Sequence, residues 1–185
     1  MKILDCPIEG LKVIQLDVHG DSRGFFIERF QVKRFSEAGL PHIFLQDNHS
    51  RSVAHTLRGL HYQYGPPQGK LVGVARGTVW DVAVDIRPHS PTFGKHHAVE
   101  LTAENGMLLW IPPGFAHGFC VLGEEPADLL YKVTSVYNAA GEGGIRFDDP
   151  ELDIPWPVRN ALYSPRDQNL QSFAEYKKSP PVWGA

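Results

Sequence analysis

Apolar and polar positions alternate with a period of two through the middle of the chain. Between 78 and 86, Trp80, Val82, Val84 and Ile86 alternate with Val79, Asp81, Ala83 and Asp85, the pattern of a strand with two distinct faces. Short apolar runs at 70–75, 98–101, 107–111, 119–122 and 129–137 also read as strands. Turn-forming residues separate them: Asn105-Gly106, Pro112-Pro113-Gly114 and the stretch 123–126. The Arg76-Gly77 break predicts a hairpin joining 70–75 to 78–86. Helical signatures occur at 32–38, which stops at Gly39 with Pro41 beyond, and at 168–177. The expectation is an all-β sandwich, jelly roll or barrel, with short helices near the N-terminal part and the C-terminus. Prolines punctuate the chain after Gly141, so this part reads as irregular, with a tail from about 171. No repeat or linker breaks the pattern, and 1–185 is expected to form one domain.

Composition narrows the class. Apolar residues are 42% and charged residues 21% of the 185, which supports a packed core and argues against disorder. A net charge of −3 offers no field for nucleic acid or an anionic membrane surface. No apolar run has the length of a membrane span. The N-terminus lacks a secretory apolar stretch, and two cysteines make no disulfide framework, so a cytoplasmic protein is expected.

Polar side chains crowd a few short segments. Arg23 lies in Gly20-Asp21-Ser22-Arg23-Gly24-Phe25-Phe26, and a guanidinium there suits an anion such as phosphate. Gln46-Asp47-Asn48-His49-Ser50 is polar where a strand should be apolar, as in an edge strand. In 57–63, Arg58, His61 and Gln63 fall within six residues. Strict alternation puts Arg58 and His61 on opposite faces; a bulge at Gly59 would let them share one. Lys70 opens a strand, Tyr131 carries a phenol protonated at neutral pH, and Asp167 follows a Ser-Pro turn from which it could orient a histidine. The Pro-x-Gly-x-x-His spacing at 112–117 is similar to the second cupin motif, whose His often binds metal. The first-motif segment, His61-Tyr62-Gln63, lacks the second His, and adjacent His96 and His97 point opposite ways, so no metal is expected.

In chain order the motifs are Gly-Asp-x-Arg-Gly-Phe-Phe at 20–26, Gln-Asp-Asn-His-Ser at 46–50, Leu-Arg-Gly-Leu-His-Tyr-Gln at 57–63, Asp-Val-Ala-Val-Asp-Ile-Arg at 81–87, Ser-Pro-Thr-Phe-Gly at 90–94 and Pro-x-Gly-Phe-Ala-His-Gly-Phe at 112–119. Together they resemble the dTDP-4-dehydrorhamnose 3,5-epimerase family, over about residues 3 to 170. The resemblance implies a cupin-like jelly-roll barrel without metal or cofactor, assembled as a homodimer. It implies inversion of carbons 3 and 5 of dTDP-4-dehydro-6-deoxy-D-glucose, giving dTDP-4-dehydro-6-deoxy-L-mannose for dTDP-L-rhamnose biosynthesis. By motif, His61 matches the general base, Asp167 its carboxylate partner, Tyr131 the proton donor and Lys70 the cation near the keto oxygen. Arg23, Glu28, Gln46, Asn48, Arg58, His117, Glu142 and Arg166 match nucleotide-sugar contacts, and Tyr137 the ring that stacks on thymine. Two positions depart from the pattern: His19 stands where many members have Phe, and Arg166 replaces a more common Lys. The alternatives are a single-site 3- or 5-epimerase, a 3,4-ketoisomerase, or a cupin that binds a nucleotide-sugar without turnover.

Overall fold

A computed structural model describes residues 1–183. Its strands along the chain are β1 (Lys2–Leu4), β2 (Lys12–Gln15), β3 (Val18–Asp21), β4 (Gly24–Ile27), β5 (Gln46–Ser52), β6 (Leu57–Gln63), β7 (Lys70–Arg76), β8 (Thr78–Asp85), β9 (His96–Thr102), β10 (Met107–Ile111), β11 (Phe115–Leu122), β12 (Ala127–Val133) and β13 (Glu142–Gly144). Three short helices accompany them: α1 (Val32–Glu37), α2 (Pro165–Gln168) and α3 (Phe173–Lys178). Two antiparallel sheets face each other. One runs β1-β2-β10-β7-β12-β5 and the other β13-β6-β11-β8-β9. The β3–β4 hairpin forms a separate two-stranded sheet. This is the cupin-like jelly roll that the motifs led us to expect.

Away from the exposed edge strands β1 and β5, both sheets bury both faces, which explains why several strands are apolar almost throughout. Val13, Val72, Leu109 and Leu129 of the first sheet meet Val79, Ala83, Leu101, Phe119 and Val121 of the second between the layers. On the outer face of the first sheet, Ile14, Leu71, Leu108 and Trp110 pack against Phe35 of α1 and Leu40. On the outer face of the second, Leu60, Tyr62, Val82, Val84 and Ile86 are covered by Phe173 and Tyr176 of α3. The tail is therefore part of the packing: the Tyr176 hydroxyl donates to the Ile86 carbonyl at 2.7 Å. The strongly apolar stripe of β8 faces this tail, and the stripe carrying Asp81 and Asp85 faces inward.

Three expectations need correction. The runs at 70–75 and 78–86 do not form a hairpin. β7 pairs with β10 and β12, β8 pairs with β9 and β11, and Gly77, with φ +75°, turns the chain from one sheet into the other. A Gly between two strands signals a reversal equally well at a sheet corner. The run at 129–137 leaves its sheet after Val133, so Tyr137 lies outside the ladder. The helix at 168–177 is two helices: α2 ends at Gln168, and Ser172 starts α3 anew with a capping box to Glu175.

Candidate active site

The bulge between β6 and β11 sets the site. His117 pairs with His61 and Phe119 with Arg58, so two steps on β11 oppose three on β6. Gly59 makes this possible, because its φ is +126° and a Cβ there would lie 2.6 Å from the Gly118 Cα. With the ladder offset, Arg58 and His61 line one cleft of about 380 Å³ together with Leu57, Leu162, Tyr163, Arg166 and Asp167.

The His61 Nε2 donates to Asp167 Oδ1 at 2.6 Å, which leaves Nδ1 as the basic nitrogen. Asp167 is buried on α2, and its own N–H is capped by the Ser164 hydroxyl at 3.1 Å. Burial works against the Asp167 carboxylate, but hydrogen bonds from His61, Ser164 and the backbone outweigh it and hold the group below its usual range. Lys70, at the start of β7, donates to the His61 carbonyl at 3.4 Å. Burial pushes its ammonium down to about 8, with Glu142 and Asp81 pulling the other way.

Tyr131 projects from β12, in the sheet opposite His61, and sits beside Asn48 of β5 in register. Burial raises its phenol, nearby Arg58 opposes this and Glu142 adds to it. Tyr131 is thus protonated at neutral pH and reaches the site from the other layer. His117 on β11 is buried and its Nε2 contacts both Asp81 oxygens, at 2.9 and 3.0 Å. Glu142 accepts from the Tyr137 hydroxyl at 2.9 Å and from Arg166 at 2.6 Å. Gln46 bonds Asn48 through its amide nitrogen at 2.8 Å and accepts from the Tyr137 N–H at 2.9 Å. Arg58 donates to the Ser52 hydroxyl at 3.0 Å.

Of the thirteen predicted residues, Arg58, His61, Arg166 and Asp167 line the cleft; Lys70, Glu142, Tyr137, Gln46 and Asn48 join them through hydrogen bonds; Tyr131 and His117 pair with Asn48 and His61 in the ladders; and two lie apart. Arg23 pairs with Asp21 at the tip of the β3–β4 hairpin and lines a separate cavity with His19, Phe25 and Phe26. Glu28 pairs with Arg34 of α1 at 2.8 Å. Sequence reasoning flagged Gln63 among the crowded polar residues of 57–63 without giving it a role, and it passed over Asp81. Asp81 is fully buried; its signal was a carboxylate inside an apolar alternation. Asp85 shares that signal but fastens the following turn through Arg87, Ser90 and Thr92. Among the described residues, no three His, Cys, Asp or Glu side chains converge as a metal-holding group, and no helix is long and apolar enough to cross a membrane.

Comparison with known proteins identifies the family. The sequence profile of the family described as dTDP-4-dehydrorhamnose 3,5-epimerase matches residues 5–175. A dTDP-4-dehydrorhamnose 3,5-epimerase of Shigella flexneri is 50% identical over 177 residues, covering 95% of this chain and 97% of its own. A dTDP-6-deoxy-D-glucose-3,5-epimerase of Legionella pneumophila, solved in complex with dTDP-4-keto-L-rhamnose, superposes with a TM-score of 0.89 at 48% identity, covering 94% of this chain and 93% of its own. A dTDP-4-dehydrorhamnose 3-epimerase of Streptomyces niveus is 40% identical over 177 residues, covering 95% of this chain and 85% of its own. The matched span contains the whole two-layer barrel and its histidine–aspartate pair, and this chain belongs to the dTDP-4-dehydrorhamnose 3,5-epimerase family.

Proposed function

We propose that the protein inverts carbons 3 and 5 of dTDP-4-dehydro-6-deoxy-D-glucose to give dTDP-4-dehydro-6-deoxy-L-mannose. The observation that carries this reading is the 2.6 Å His61–Asp167 pair in the cleft, with Lys70 against the same histidine and Tyr131 on the opposing sheet. His61 Nδ1 takes the proton from the carbon next to the ketone. The electron pair moves onto the keto oxygen as an enolate, which the Lys70 ammonium stabilises. As the carbonyl re-forms, the Tyr131 hydroxyl delivers its proton to the same carbon from the other ring face. Solvent then restores both groups, and the cycle repeats at the second carbon. Asp167 holds the imidazole in the required tautomer and stabilises the imidazolium. No step needs a metal or an organic cofactor.

The nucleotide lies toward Tyr137, Glu142 and Arg166, with Gln46, Asn48, Arg58 and His117 completing its contacts. An arginine beside a diphosphate supplies paired charge-assisted hydrogen bonds. Arg23 and Glu28 join this set only if the β3–β4 hairpin enters the cleft of a second copy. Its Phe25 and Phe26 are 55% and 66% exposed, an unusual amount for two adjacent rings and a reason to expect a partner surface. We therefore read the functional unit as a homodimer. Both cysteines are unpaired, which suits the reducing cytoplasm.

Proton NMR in heavy water with dTDP-4-dehydro-6-deoxy-D-glucose tests the reaction. Deuterium entry at carbons 3 and 5 with inverted configuration is expected. Entry at carbon 3 alone would replace the reading with that of the Streptomyces niveus relative, and absence of exchange at both would leave a binding protein.

A further inference from the structure

Gln63 lies two residues beyond His61 on β6, so both side chains leave the strand on the same inner face. It is 3% exposed, deep for a primary amide, and every polar atom it carries is engaged. Its Nε2 donates to the Val136 carbonyl at 3.1 Å, to the Pro66 carbonyl at 2.9 Å and to the Ser135 hydroxyl at 3.3 Å. Its Oε1 accepts from the Asn138 N–H at 2.9 Å. The residues so gripped, 136 and 138, flank Tyr137. The side-chain amide thus takes the place of a neighbouring strand for a segment that has left its sheet.

A second amide holds the residue between them. Gln46 Oε1 accepts from the Tyr137 N–H at 2.9 Å, and Gln68 donates to the Ser135 carbonyl at 2.8 Å. The backbone of 135–138 is fixed while Tyr137 remains 55% exposed, with its hydroxyl tethered by Glu142. A ring with a locked backbone and an open face is a stacking platform.

We infer that Gln63 is a positioning residue, which fixes the Tyr137 ring at a set place beside the cleft and so determines how firmly the nucleotide end of the substrate is held. One strand then carries both the group that reacts and the group that holds the platform. The inference rests on the reading of Tyr137 as the ring that stacks on thymine.

A double-mutant cycle in the full-length protein tests it, with dTDP affinity read by calorimetry and turnover read on the keto-sugar. Gln63→Met keeps the length of the side chain and leaves the Val136 and Asn138 backbone groups without their partner. We expect dTDP binding to weaken on the order of tenfold, with KM rising in parallel and kcat within about threefold of the parent. In a Tyr137→Ala background, the same change should cost less than about twofold. Equal losses in both backgrounds, or a fall in kcat at unchanged KM, would overturn the inference and make Gln63 a general support of the barrel. If Gln63→Met does not fold, Gln63→Glu serves, since it keeps the acceptor for Asn138 and loses the donors; the same dependence on Tyr137 must appear. Should Tyr137→Ala alone leave dTDP affinity unchanged, the stacking reading itself fails and the inference falls with it. Loss on Tyr137→Ala with additive effects of Gln63 sinks the inference alone.

Discussion

At the scale of single residues, the Lys70 ammonium carries a cost that its chemistry explains. An amine held at about 8 is charged at neutral pH but close to losing its proton. The folded-state value lies below that of the unfolded chain, so the charged form is disfavoured by folding. The penalty is fully present below pH 8, shrinks as pH rises toward the unfolded value of 10.5, and is gone above it. Lys70→Met should therefore abolish turnover while raising stability at pH 7 by roughly 1–3 kcal/mol, read from the urea midpoint; a destabilised variant would contradict this. In the parent enzyme kcat/KM should fall about tenfold per pH unit above pH 8, and a profile flat to about pH 10 would remove Lys70 from the enolate step. Tyr131 makes a different prediction. Tyr131→Phe should stop product formation, yet allow deuterium exchange with retained configuration, because His61 can still remove and return a proton. Undiminished product would show that another group is the donor. The sequence marks His61 by its motif at 57–63, and Lys70 and Tyr131 by side-chain chemistry at their places in the strands. Asp81 and Gln63 lie within the motifs at 81–87 and 57–63, but the motifs alone give them no role. Their meaning depends on His117, 36 positions away, and on Val136 and Asn138, 73 and 75 positions away, and a one-dimensional pattern does not bring these together.

At the scale of elements, the bulge at Gly59 decides whether the site exists. Alternation alone separates Arg58 from His61; the inserted residue on β6 reunites them. Gly118 is its counterpart across the ladder, since a Cβ there would lie 2.8 Å from the Arg58 carbonyl. Gly59→Ala meets both a positive φ and backbone atoms that have nowhere to go. We expect a loss of roughly 2–4 kcal/mol in stability and a fall on the order of a hundredfold in kcat/KM. Parent-like stability and activity would show that the ladder tolerates an ordinary residue there. This element was legible in outline, because a Gly between two polar residues that must share a face is where a strand most readily takes an extra residue. The failed hairpin at Arg76-Gly77 shows the limit of such reasoning. A turn signal reports that the chain changes direction, and the choice between returning in the same sheet and crossing to the opposite one is made by long-range pairing with β10 and β11. The two-helix C-terminal segment follows the same logic: its apolar residues mark what must be buried, and Ser172 with Glu175 marks where the second helix starts.

At the scale of the whole molecule, the placement of Arg23 and Glu28 separates two architectures of the homodimer proposed above. In one, each subunit is self-sufficient and its hairpin serves its own cleft. In the other, the hairpin of each subunit completes the cleft of its partner. Mixed dimers distinguish them. His61→Ala removes the base from its own cleft, and Arg23→Ala removes the hairpin cation; each should be inactive or nearly so as a homodimer. In a mixed dimer with shared sites, the subunit bearing Arg23→Ala keeps its His61 and receives an intact hairpin from the His61→Ala partner, so one of its two sites is complete. Random pairing makes half of the dimers mixed, and co-expressed variants should recover about a quarter of the parent activity. If the hairpin served its own subunit, every cleft in the mixture would lack either the base or the cation, and activity would stay at the sum of the two homodimers. Isolation of the mixed dimer by two affinity tags sharpens the comparison, because the shared architecture then requires about half of the parent activity from a species whose components have almost none.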